Sequence, residues 1–288
     1  MAGPARLLIT GGSGYLGGEL LRRAPGAVGT AFSRAGEVRL DVRDRAAVAA
    51  LVGPLRPDSV IHTAYAREGA DAWSTNVDGA ANVAACAEAA GAHLIHVSTD
   101  VVFAGDEGRP YTESDPPRPI TEYGRSKAAA EEAVAAAHRG AAIVRTSLIY
   151  GGAEPSGHEQ AALAAAAGRA DLAFFTDEIR CPIAVGDLAA ALLELAEARF
   201  CGILHVAGAD AVSRLEFAEL VARAGGRDPA RLRPSTAAAA PAPRPRDCRL
   251  DCSRARQILA TRLRGVHEVL ESGYGPSRSI TQPLSPRV

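Results

Sequence analysis

The chain has 288 residues, 47% of them hydrophobic and 5% aromatic, with a formal net charge of −1. That suits one large domain, or a main domain with a smaller lobe, and leaves no basic surplus for a nucleic-acid or anionic-membrane partner. No apolar run approaches the roughly 18 residues of a membrane span, and the opening "MAGPARLLITGG" lacks a secretory signal, so a cytoplasmic protein is expected. The five cysteines (Cys86, Cys181, Cys201, Cys248, Cys252) are scattered and odd in number, which fits a reducing compartment. Cys248 and Cys252 have no His or Cys neighbours to complete a zinc set, so no metal site is expected.

In chain order, "RLLIT" (6–10) reads as a buried strand, then come a glycine-rich turn and a helix, "YLGGELLRRA". Strands follow at 27–32 and 37–42, and then a helix that stops at Gly53-Pro54. "DSVIHTA" (58–64) is the next strand, and "DAWSTNVDGAANVAACAEAAG" reads as one long helix capped by Gly91. Strands at 92–99 and 141–151 complete the first half. Strands alternating with helices predict an α/β fold: a Rossmann-type, doubly wound parallel sheet with helices on both faces.

Beyond Gly151 the pattern loosens into the helices "EQAALAAAAG" and "VGDLAAALLELAEA", a strand at 203–208 and the helix "SRLEFAELVARAGG". There Ser213 is placed as N-cap and Glu216 for a capping box. "PSTAAAAPAPRPRD" predicts extended chain, and the tail from 271 to 288 predicts disorder. The expected division is a nucleotide-binding core over 1–150, to which later segments return, and a small α/β lobe over 151–270.

"TGGSGYLG" sets Gly11, Gly14 and Gly17 in a G-x-x-G-x-x-G pattern between a strand and a helix. That context predicts a dinucleotide pyrophosphate on the helix N-terminus, with Thr10, Tyr15 and Leu16 in the same stretch. After the second strand there is no Asp or Glu for a ribose 2′-OH, but Ser33 and Arg34. Arg34 could pair with a 2′-phosphate and Ser33 donate to it, or Arg34 could be a solvated loop charge. NADP(H) is therefore preferred, with NAD the second option. Asp41 and Val42 could border the adenine.

Ser98, Thr99 and Asp100 close the strand in "HVSTD", where an open parallel sheet binds its ligands. In "EYGRSK", Tyr123 and Lys127 share one helix face. A free phenol has a pKa of about 10, and a nearby ammonium and an oxidised nicotinamide would lower it toward neutrality. A threonine hydroxyl would hold the substrate oxygen.

"TGGSGYLG", "STDVVFAGDEGRPYTESDPPRPITEYGRSKAAAEE" and "VRTSLIYG" together resemble the extended short-chain dehydrogenases/reductases. Within them, over roughly residues 5–265, the chain is similar to dTDP-4-dehydrorhamnose reductases and their sugar-nucleotide-binding relatives, whose late segment resembles "RPRDCRLDCSRA". The resemblance implies a Rossmann domain with a C-terminal substrate lobe, and NADPH delivering hydride to a 4-keto-deoxysugar nucleotide. It makes Tyr123 the proton donor, Lys127 the partner of the nicotinamide ribose, and Thr99 the carbonyl ligand. Asp100 would lie near the sugar, Ser98, Thr63, Ala64 and Tyr65 along the cofactor, and Asn76 behind the site. Arg180 is a candidate for a substrate phosphate or hydroxyl, and His158, in the loop "GGAEPSGHEQ", is either a substrate contact or a solvated loop residue. Two positions depart from the pattern: Val101 stands where the reductases usually have Tyr, and Leu148 where they often have Trp. His62 and His96 are read as core or cofactor-flanking residues, and Trp73 as helix packing. The resemblance leaves open a homodimer, a non-catalytic NADP-binding regulatory subunit like the methionine adenosyltransferase β subunit, and a sugar-nucleotide epimerase or dehydratase.

Overall fold

The computed structural model describes residues 6–32 and 38–272. The first elements are β1 (Leu7–Thr10), α1 (Tyr15–Arg23), β2 (Val28–Ala31), β3 (Val38–Arg39), α2 (Arg45–Leu55) and β4 (Ser59–His62). Next come α3 (Ala72–Asn76), α4 (Asp78–Ala90), β5 (His93–Thr99), α5 (Glu122–Ala137), β6 (Ala142–Thr146) and β7 (Ile149–Tyr150). The lobe and its return run as α6 (Gly157–Ala166), β8 (Ala173–Phe175), β9 (Ile179–Arg180), β10 (Ile183–Ala184), α7 (Val185–Glu197) and β11 (Gly202–His205). The last are β12 (Val212–Ser213), α8 (Arg214–Ala224), β13 (Arg233–Ser235), α9 (Ser253–Ile258) and α10 (Val266–Glu271).

Seven strands form one parallel sheet in the order β11-β6-β5-β4-β1-β2-β3. One face is covered by α1 and α7, whose Leu16, Leu20, Leu188 and Leu192 pack on Ile9, Ile61 and Ile95. The other is covered by α2, α4 and α5, through Val48, Val83, Ala84 and Val134 against Leu8, Val60 and Leu94. The doubly wound α/β fold of the sequence is this sheet. A third core, around Tyr150, Phe174 and Phe217, belongs to the lobe, where three two-stranded pairs sit among α6, α8 and α10.

Several boundaries differ from the sequence reading, each for a local reason. The third strand shrinks to two residues, because Asp41 folds onto Arg43 and Asp44 already caps α2 by accepting from the Ala46 and Ala47 amides. Helix α2 continues through Pro54 to Leu55: the lost bond falls in its last turn, over an exposed Ala50, and Arg56 caps it at φ 45°. The long helix over 71–91 is two helices, broken at Val77, where the Asn76 amide turns back to the Ala66 backbone. The strand over 141–151 breaks at Ser147, so that β7 leaves the main sheet to pair with β10. Ser213 does cap α8, but the Glu216 carboxylate faces His267; the reciprocal capping box is at Ser156 and Glu159 of α6. Ser33 and Arg34, and the tail beyond Ser272, lie outside the described residues.

Candidate active site

β1 ends at the centre of the sheet, beside β4, where the strand order reverses and an open sheet offers its crevice. The turn that follows is built on close approach. Gly11 has φ 76°, and a Cβ there would come within 2.7 Å of the Ala64 amide nitrogen. A Cβ on Gly17 would overlap the Gly11 carbonyl. Gly14 is the N-cap of α1, whose first turn contains no acidic residue, and the positive end of the helix faces the turn. This is a cradle for an anion such as a pyrophosphate.

The neighbouring residues have separate tasks. The Thr10 side chain is buried and meets His62 Nδ1 at 2.6 Å, and its carbonyl accepts from Thr63 Oγ1 at 2.7 Å. Leu16 lies in the core under the turn. The Tyr15 hydroxyl accepts from the Gly152 amide and donates to Glu159, fastening α1 to the start of the lobe. Along β2 and β3, Asp41 is clasped by Arg43, whose guanidinium holds the carboxyl below its usual range, and Val42 is buried under Gly79. The exposed Phe32 ring has the Arg39 and Arg43 guanidiniums 6.0 and 5.6 Å from its centre.

At the carboxyl end of β5, Thr99 donates weakly to Asp100 Oδ1 at 3.3 Å. Asp100 is buried, accepts from Ser147 Oγ at 2.6 Å and has Arg180 Nε at 3.7 Å. Burial pushes its carboxyl up against the pull of Arg180 and Ser147. Ser98 faces the opposite way, donating to Glu131, which is paired with Arg145 at 2.7 Å. Helix α5 is capped by Thr121, which accepts from the Gly124 amide, and Gly124 lets its first turn sit against the Val101 carbonyl. Asn76 donates to Ser126, and Ser126 to the Tyr123 carbonyl, so the break between α3 and α4 fixes the turn that carries Tyr123.

Tyr123 is half-buried beside the exposed Tyr65, ring centres 6.0 Å apart. Burial pushes its phenol up, with Tyr65 and Asp100 adding and Arg67 opposing. The Lys127 side chain turns into the core. Its amine is 3% exposed and points inward, donating to the Val97 carbonyl at 2.7 Å and meeting His96 Nε2 at 3.2 Å. Burial lowers it to about 8.

Val101 and Leu148, the two positions that depart from the family pattern, are half-buried aliphatic residues. Arg180 is 4% exposed, and its guanidinium donates to the carbonyls of Ile179, Pro245 and Arg246, so it holds the lobe together. His158 meets Arg214 at 3.3 Å, and burial with Arg214 and Arg67 lowers it to about 3. Arg214 was missed in the sequence. Burial and the cations Arg180, Arg244 and Arg67 bring it down to about 10 against Glu178, and its Nη1 has no hydrogen-bond partner. The available signal was its place as first residue of α8, where a cation opposes the helix dipole. Trp73 is 53% exposed, not packed on a helix, and with Arg67, Glu122, Tyr123 and Arg125 lines a cavity of about 420 Å³.

Residues 5–274 match the RmlD substrate binding domain family. The chain belongs to that family. It is 40% identical over 263 residues to dTDP-4-dehydrorhamnose reductase of Mycobacterium tuberculosis, covering 85% of this chain and 84% of that one. It is 33% identical over 273 residues to methionine adenosyltransferase 2 subunit beta of Bos taurus, covering 86% and 81%. Among solved structures, dTDP-4-dehydrorhamnose reductase from Bacillus anthracis in complex with NADP superposes with a TM-score of 0.83. That pair is 28% identical and covers 95% of this chain and 99% of the other. This RmlD-family chain has no helix, among the described residues, long and apolar enough to cross a membrane.

Proposed function

We propose that this protein is an NADPH-dependent reductase of a 4-keto-deoxysugar nucleotide, a reading supported by the mycobacterial relative named dTDP-4-dehydrorhamnose reductase and by the Bacillus anthracis structure in complex with NADP. The observation that carries the reading is that the first turn of α5, with Tyr123, sits against the Val101 carbonyl just beyond Thr99 of β5, while Lys127 of the same helix bonds to Val97 of that strand. When bound, NADPH supplies the hydride. The cradle at Gly11 and Gly17 fits its pyrophosphate, and Lys127 has one N–H beyond the two held by Val97 and His96.

Thr99 binds the substrate ketone through a hydroxyl whose present bonds, 3.3 and 3.4 Å, are long enough to yield. Burial keeps Tyr123 protonated at neutral pH, so it holds the proton that the reduced oxygen takes up as the carbonyl becomes an alcohol. Lys127, one helical turn along α5, directs its ammonium to Val97 and His96, which leaves its third N–H for the nicotinamide ribose. Loss of NADPH absorbance across a panel of keto-sugar nucleotides tests the reading. In Tyr123→Phe, turnover should fall about 10²–10⁴-fold with NADPH affinity retained. Unchanged turnover would remove Tyr123 from the chemistry.

A second reading is supported by the 33% identity to methionine adenosyltransferase 2 subunit beta and by the aliphatic Val101 and Leu148. It makes the chain a nucleotide-binding subunit of another enzyme. Constant co-purification with a second protein, together with silence toward every keto-sugar nucleotide, would select it.

A further inference from the structure

Lys127 is the only lysine in the chain; every other one of the 32 Lys and Arg residues is arginine. Its surroundings are unusual for a buried amine. Thr10, His62 and His96 are neighbours in register on β1, β4 and β5, so three strands set one polar side chain each at the same level of the sheet. Thr10 fixes His62 through Nδ1. The His62 and His96 rings stack, with centres 5.3 Å apart and planes at 27°. His96 Nε2 then meets the amine. Both imidazoles are about 1% exposed.

Stability does not account for this row. His62 Nε2 and His96 Nδ1 are buried without hydrogen-bond partners, a cost that leucines at the same places would avoid. The groups that face Lys127 settle the proton positions. Burial and the Lys127 charge hold His62 near about 3 and His96 well below its usual value, so both rings are neutral. Glu131, one turn along α5, favours the ammonium, but its carboxylate is already bonded to Arg145 of β6 and Ser98 of β5. An ammonium has three donors and no acceptor. The close contact therefore makes His96 Nε2 the acceptor and puts its proton on Nδ1.

We propose that His96, backed by the stacked His62, is a positioning residue for Lys127: its neutral imidazole accepts one N–H of the amine and, with the Val97 carbonyl, fixes where Nζ sits. The third N–H stays uncommitted. The link to turnover rests on the reductase reading; the titration of Lys127 does not.

A single lysine makes the test direct, since protein carrying [ε-13C]lysine gives one resonance. In the intact protein it should titrate near about 8. In His96→Leu the charged amine loses an acceptor, and the midpoint should fall so that the acid dissociation constant rises about tenfold. His96→Gln, with an acceptor at similar reach, should restore it. The alkaline limb of the rate profile should move with the midpoint. A folded His96→Leu protein titrating like the wild type, or a Gln variant that restores nothing, would overturn the proposal. If neither variant folds, 15N-histidine spectra of the wild type decide. A Nδ1–H tautomer whose Nε2 signal follows the lysine titration supports it, and no such histidine refutes it.

Discussion

Thr10, His62 and His96 stand side by side because β1, β4 and β5 are in register. In the lobe, Arg180 stands where it does because three backbone carbonyls and Asp100 hold its guanidinium. The first arrangement follows from strand periodicity and from backbones that touch. The second follows from segments far apart in sequence whose carbonyls and carboxylate meet around one guanidinium. The half around the glycine turn is thus set by main-chain register, and the lobe by groups that meet from distant segments.

The largest effect should come from breaking the main-chain half. In Gly17→Ala the new Cβ has no room against the Gly11 carbonyl, so α1 must move off the turn. A displacement of that kind should weaken NADPH binding by about 100-fold and cost about 1–3 kcal/mol of stability. Fluorescence titration with NADPH and a denaturant melt measure the two. An alanine variant that binds as the wild type does would show that the turn does not carry the cofactor.

The corresponding break in the lobe is Arg180→Met. It leaves the buried Asp100 without its cation and the Pro245 carbonyl without its side-chain donor, while the Ile179 and Arg246 carbonyls keep the amides of Cys248 and Ile179. Removing one partner of a buried pair costs about 3–5 kcal/mol. Stability should fall by that order in a denaturant melt while NADPH still binds. Loss of both together would show that the two halves are not held separately.

This division also explains what could be read before the structure. The parallel sheet, the cradle of Gly11 and Gly17, and the Tyr123–Lys127 face of α5 depend on spacing within short segments, so the sequence carries them. The direction of the Lys127 side chain does not. It is set by Val97 and His96, some thirty residues upstream. Arg180 reads as a free cation in "EIRC" because its acceptors, Pro245 and Arg246, lie at the far end of the chain. Arg214 was hidden for the same reason, since Arg67, His158 and Glu178 reach it from three other segments.

A buried lysine in the main-chain half predicts a gain. Burial lowers the Lys127 amine from 10.5 to about 8, so the folded state holds the charged form at a cost. That cost is fully present below about pH 8, and it fades as the pH rises toward 10.5, because the unfolded chain binds more protons across that window. Lys127→Met should therefore abolish turnover yet raise the melting temperature at pH 7, with the gain shrinking above pH 8. A variant less stable than the wild type at pH 7 would mean that the bonds to Val97 and His96 outweigh the burial.

The smallest effect separates the halves most cleanly. Arg214 combines a helix N-terminus that disfavours a cation, three nearby arginines, and an Nη1 with no partner. All of these weigh against it in the folded protein, and its field reaches the carboxyl of Asp100 beside the substrate position. An anionic ligand such as a nucleoside diphosphate would relieve the excess of positive charge. Arg214→Met should then weaken binding of dTDP by about tenfold, the scale of one charge-assisted contact, and lessen its dependence on salt. NADPH affinity should not change, because the cradle lies on the other half. Equal loss for both nucleotides would place Arg214 in the cofactor site, and no loss for either would leave it a cation that the lobe merely tolerates.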